Sequence, residues 1–260
     1  MPRLEVTIET KDGICPASIF TPANGTGPWP GVIFFMDGLG IRPVLWEMGQ
    51  RLADAGYAVL LPDAYYRFGA YPPMDPPAIF ADPDKRAKLM EWVGSLSRER
   101  KVLDIEAYIN FFGNRLEVKG TGFGATGYCM GGHAALTAAG AFPARFAAIA
   151  SFHGGNLATE SPDSPHQFAK AVTARVYVGG AIEDASFPDE QKERLEKALA
   201  GAKVDHAIET YKAYHGFTMR DLPVYSAAAE ERHWDALLKL LKETLGNGQA
   251  ASAFKSLSEP

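Results

Sequence analysis

The chain has 260 residues, 47% of them apolar and 22% charged, with a formal net charge of −5. That length fits one α/β domain, and the composition excludes wholesale disorder. The acidic balance offers no basic field to nucleic acid or to an anionic membrane. Two cysteines, Cys15 and Cys129, are too few for a disulfide framework or a thiolate zinc site. The opening MPRLEVTIET lacks the apolar core of a signal peptide, and the longest apolar-rich stretch, 134–152, contains Pro143 and Arg145. No leader or spanning helix is therefore expected, and the cytoplasm is the default compartment.

Alternating stretches at 4–8 and 14–20 flank Lys11-Asp12-Gly13, a hairpin signal. The pattern then becomes a continuous apolar run, 31–36, as expected of a strand buried on both faces. A helix at about 43–55 and a second buried strand at 57–61 follow. Six prolines from Pro62 to Pro83 predict a long irregular segment, and loops of that length in compact domains are usually functional. A single helical stretch then runs to about Phe112. After it come a Gly-rich strand at 121–128, a small-residue helix at 130–141, and strands at 146–152 and 174–178. A helix at 189–199, a strand at 205–211 and a last helix at 224–245 complete the chain. Strands alternating with helices at this spacing predict a mostly parallel sheet with helices on both faces, with the hairpin as an antiparallel edge. One domain over 1–246 is expected, followed by a flexible tail at 247–260.

Gly127-Tyr128-Cys129-Met130-Gly131-Gly132 stands where a strand ends and a helix begins. The pattern Gly-x-Cys-x-Gly is that of a nucleophile elbow with sulfur in place of oxygen. The turn is so sharp that residues two before and two after the nucleophile must have almost no side chain. It puts Cys129 at a helix N-terminus, which favours thiolate, and aims the N–H of Met130 where an oxyanion would form. The competing reading is an inert buried cysteine; Cys15, without such a setting, is read that way. The overlapping Gly122-Phe123-Gly124-Ala125-Thr126-Gly127 fits a dinucleotide fingerprint, but no acidic residue lies between Arg145 and Glu160, so no nucleotide is expected.

An elbow of this kind takes its acid and then its histidine from later loops, each after a strand. Two adjacent carboxylates, Glu183 and Asp184, follow one strand, and Asp184 is the preferred acid, with a helix-capping pair as the alternative. His215 follows the last strand, and His153, also just after a strand, is its rival. His133, four residues after Cys129, is expected to pack or cap. In this reading His215 takes the thiol proton or pairs with thiolate, Asp184 fixes its tautomer, and Cys129 attacks an acyl carbonyl to give a thioester that water cleaves.

Together, Met36-Asp37-Gly38, Gly56-Tyr57 with Pro62-Asp63, the elbow at 127–132, Gly179-Gly180 with Asp184 and Pro188, and His215-Gly216-Phe217 with Arg220 resemble the dienelactone hydrolase family over about 14–245. The resemblance implies an α/β-hydrolase fold acting on small cyclic enol-lactones and related esters, without metal or cofactor. It implies a triad of Cys129, Asp184 and His215, with the N–H groups of Gly38 and Met130 as oxyanion donors. Family members carry a glutamate that governs the thiol's proton; Asp37 stands there, one methylene shorter. They also hold a substrate carboxylate with arginines, for which Arg220, displaced by one residue, and Arg86 are the matches. The expected partner is a small ester or lactone, with no nucleic acid and no membrane. An acyltransferase on the same triad and a catalytically silent binding protein remain as other readings.

Overall fold

The computed structural model describes residues 3–246, and the expected tail at 247–260 lies outside them. The alternating N-terminal stretches pair antiparallel as β1 (Arg3–Thr10) and β2 (Gly13–Phe20). Gly13, with φ of 139°, makes the tight turn that only glycine adopts without strain. The continuous apolar runs become inner strands: β3 (Trp29–Phe35), β4 (Ala58–Pro62), β5 (Val118–Tyr128), β6 (Phe146–Phe152) and β7 (Arg175–Ala181), with β8 (His206–Tyr211) at the far edge. The order is β1-β2-β4-β3-β5-β6-β7-β8. β2 meets β4 antiparallel, and every later pairing is parallel.

Both faces of this sheet are covered. Because strand side chains alternate, Val32, Phe34 and Met36 enter one core with α1 (Pro43–Asp54) and α7 (Ala227–Leu245), where Leu45, Leu52, Trp234 and Leu237 lie. Ile33 and Phe35 enter the opposite core with α4 (Arg98–Gly113), α5 (Met130–Ala141) and α6 (Asp189–Gly201). All catalytic candidates follow the C-terminal ends of parallel strands, where open α/β sheets present their crevices. Among the described residues, no helix is long and apolar enough to cross a membrane.

The proline-rich segment departs from expectation. It holds a 3-10 turn at Tyr66–Phe68 and a short helix, α2 (Pro76–Ala81), and Pro83 opens α3 (Pro83–Ser95). Proline is tolerated in the first helical turn, where its missing N–H would have no partner anyway. The single helix expected up to Phe112 is two, α3 and α4. The break falls at Leu96-Ser97, where the Ser97 side chain accepts from Arg100 N and caps α4.

Candidate active site

Cys129 sits between the end of β5 and the start of α5 with φ 55° and ψ −119°, a strained conformation for a residue with a side chain. The glycines around it are required by contact. A Cβ on Gly127 would lie 2.0 Å from Gly131 O, and one on Gly131 would lie 2.3 Å from Phe35 O. These neighbours are backbone and cannot swing aside. The strain holds Cys129 at the N-terminus of α5, where the N–H of Met130 has no intrahelical acceptor while that of Gly132 closes on Cys129 O at 3.0 Å.

The loops after β7 and β8 bring the other two residues. Asp184, 7% exposed, accepts from His215 Nδ1 at 2.8 Å through Oδ2. Its other oxygen is held by Ser186, by N at 2.9 Å and by Oγ at 2.6 Å. Burial works against ionising Asp184, but the His215 and Ser186 hydrogen bonds outweigh it and hold the carboxyl below its usual range. Burial likewise opposes charge on His215. The Asp184 hydrogen bond, then the hydrogen bond and charge of Cys129, overcome it and push the imidazole up to about 10. Glu183, the alternate acid, is exposed at a φ of 50°.

His153 lies behind this pair, its ring 5.2 Å from that of His215. Its Nε2 is 2.7 Å from Thr218 Oγ1, and it makes no bond to Asp184. Full burial, with the charge of His215 next, drives its pKa well below the ordinary value. It is a neutral packing partner, and the acid engages His215 instead.

Cys129, His215 and Asp184 border a cavity of about 710 Å³, shared with Gly38 and Met130. Its far wall is apolar: Phe80 of α2, with Leu89, Met90 and Val93 of α3. Lys101 and His133 also reach it, with Lys101 Nζ 3.4 Å from His133 Nδ1. Burial brings the Lys101 amine down to about 8, and burial together with that amine brings His133 down to about 3.

Asp37 borders the cavity too, but not as a free acid. Arg42 grips both its oxygens, at 2.6 and 2.8 Å. The arginines expected to meet a substrate carboxylate are not among the lining residues. Met219, not Arg220, is the fully buried residue of that pair, so Arg220 turns outward and donates to Glu230 at 3.0 Å. Arg86 is exposed on α3, one turn before Leu89 and Met90. Ser186, Lys101 and Arg42 went unforeseen. The Asp-x-Ser spacing of 184–186 is an Asx-turn signal that could have found Ser186; Lys101 within a helix and Arg42 just before one carry no such mark.

A model of the dienelactone hydrolase family matches residues 15–245. A Yersinia pestis protein carrying the name carboxymethylenebutenolidase is 28% identical over 242 residues, covering 90% of this chain and 85% of its own. Among solved structures, a dienelactone hydrolase-like promiscuous phosphotriesterase from metagenomic libraries superposes with a TM-score of 0.75 at 26% identity. It covers 94% of this chain and 99% of its own. A Klebsiella pneumoniae structure described as a dienelactone hydrolase shares the fold, with a TM-score of 0.79 at 24% identity over 93% of this chain and 98% of its own.

Proposed function

The chain belongs to the dienelactone hydrolase family, and on that premise we propose that it hydrolyses small esters or lactones through an acyl-enzyme on Cys129. The observation that carries this reading is the 2.8 Å bond from His215 Nδ1 to Asp184 Oδ2, with Cys129 raising the affinity of the same ring for its proton. Asp184 selects the tautomer that turns Nε2 away from itself and supports the imidazolium. The thiolate attacks the ester carbonyl, forming a C–S bond, and the carbonyl oxygen becomes an oxyanion received by the N–H groups of Gly38 and Met130. Collapse breaks the C–O bond, and His215 gives its proton to the leaving oxygen. Water then attacks the thioester while His215 takes its proton, and collapse releases the acid and the thiolate.

The apolar cavity suits a compact, uncharged ester body. The test compares hydrolysis of a chromogenic short-chain ester and of a dienelactone by the parent and by Cys129→Ala. A loss of more than about 1,000-fold is expected, with an acyl adduct on Cys129 by mass spectrometry in the parent; equal activity in the two proteins refutes the reading. Acyl transfer to added alcohols in preference to water would assign the same triad to an acyltransferase.

A further inference from the structure

Of the two oxyanion donors, Met130 is fixed by a helix, whereas Gly38 lies in the loop between β3 and α1. A loop does not by itself hold one N–H within the narrow tolerance that oxyanion binding needs. Here the loop is gripped from two sides. On one side stands Arg42, which is 1% exposed. Its Nη1 donates to Asp37 Oδ1 at 2.6 Å and to Gly40 O at 3.2 Å, and its Nη2 donates to Asp37 Oδ2 at 2.8 Å. The other edge of the guanidinium reaches the histidine loop, with Nε to Asp221 Oδ2 at 2.6 Å and Nη2 to Asp221 Oδ1 at 3.2 Å. Asp37 in turn accepts from Leu39 N at 3.1 Å. On the other side stands Tyr65, fully buried, whose phenol donates to Gly38 O at 2.8 Å and lies 3.4 Å from Met130 Sδ. One hydroxyl thus touches both residues that supply the oxyanion donors.

Stability alone does not account for this construction. A buried ion pair adds little over well-packed apolar groups of the same volume; what it can supply is a defined geometry. A bidentate guanidinium fixes the direction of a carboxylate, not merely its distance. Here that carboxylate belongs to Asp37, the residue immediately before Gly38, and the peptide joining the two carries the Gly38 N–H.

We propose that Arg42 and Tyr65 are positioning residues that set the Gly38 amide in the oxyanion site, acting through Asp37 and the Gly38 carbonyl without touching substrate. Asp37 is then the anchor of Arg42 and not a carrier of the thiol's proton, since both its oxygens are engaged. The proposal rests on the acyl-enzyme reading, because it presupposes an oxyanion.

The experiment separates oxyanion binding from thiolate activation. Ester hydrolysis forms an oxyanion; alkylation of Cys129 by iodoacetamide needs the thiolate but forms none. Tyr65→Phe, Arg42→Lys and Asp37→Asn are assayed for kcat, KM and the pH-dependent alkylation rate. In each folded variant kcat is expected to fall roughly 10- to 100-fold, less than for outright loss of a donor, with KM within about threefold and the alkylation profile superimposable on the parent's. Arg42→Lys is not expected to rescue, because an ammonium keeps the charge and loses the fork. Tyr65→Phe keeps the ring and its packing on Trp92 and Tyr71, so it decides the matter even where loss of the guanidinium prevents folding. An unchanged kcat in Tyr65→Phe, or alkylation falling in step with kcat, overturns the proposal. A shifted alkylation profile in Asp37→Asn would return the proton-carrying role to Asp37 and overturn it as well. Hydrolysis that survives Cys129→Ala removes the acyl-enzyme reading and this proposal with it. Hydrolysis that needs Cys129 but ignores Tyr65 and Arg42 removes this proposal alone.

Discussion

Two thiols of the same intrinsic chemistry sit in opposite surroundings. Cys15 is fully buried in β2, and burial pushes it up to about 12 despite a hydrogen bond to Tyr108. Cys129 borders the cavity. Native protein is therefore expected to take up one equivalent of iodoacetamide, mapped to Cys129 by peptide mass, and Cys129→Ala to take up none. Label on Cys15 in folded protein would contradict this. The pH dependence follows from His215, whose ordinary value of 6.5 is pushed up to about 10. A raised value means that the ring keeps its proton as far as that pH. The linked stability is then complete below about 6.5 and is lost as pH rises through about 10. The imidazolium proton of His215 is lost over the same interval, so kcat/KM is expected to fall on an alkaline limb near pH 10. Asp184→Asn removes the largest upward influence on His215, and the limb should move toward neutrality; a stationary limb would assign the alkaline loss to another group. The positions of Cys129, Asp184 and His215 could be read from sequence because each follows a strand at the end where the sheet opens. Arg42 could not, because its partners Asp37 and Asp221 come together only once two distant loops meet. Arg220 misled for a simpler reason: it stands just past the buried run 216–219, and its side chain turns outward to Glu230.

At the scale of elements, the strands and the elbow follow from patterns that admit one solution. An apolar run bounded by turn residues becomes a central strand, and a glycine-flanked turn between strand and helix has no room for anything else. The helices between β4 and β5 were less readable. Six prolines argue for loop, and that Pro76, Pro77 and Pro83 fall in first helical turns is something sequence alone does not specify. The α3–α4 break depends on one capping serine within a long polar stretch. Capping also sets the start of α7, three residues later than the apolar pattern suggests, with the Ser226 side chain accepting from Ala229 N. α7 seats Trp234, Leu237 and Leu241 on the sheet, so its first turn bears on global stability. Ser226→Ala is expected to cost about 1 kcal/mol, read as a fall in melting temperature of roughly 2–4 °C. An unchanged melting temperature would show that the helix starts without this cap.

At the scale of the molecule, the proposed chemistry and the proposed substrate holding fall to different parts of the chain. The sheet supplies Cys129, Asp184 and His215 at the ends of β5, β7 and β8. The segment between β4 and β5 supplies the apolar wall of Phe80, Leu89, Met90 and Val93. A change confined to that wall should therefore alter binding and leave the chemical step alone, provided the contact is the same in ground and transition states. Phe80 is 52% exposed, so its removal has little effect on the core. It borders the cavity, so it meets only substrates long enough to reach it. Losing about 1 kcal/mol of apolar contact raises KM roughly fivefold. Phe80→Ala is thus expected to raise KM about fivefold for a hexanoyl ester, with kcat, the KM for an acetyl ester and the Cys129 alkylation rate unchanged. A fall in kcat for the acetyl ester would mean that the wall also shapes the nucleophile's surroundings, and the division between the two parts would not hold.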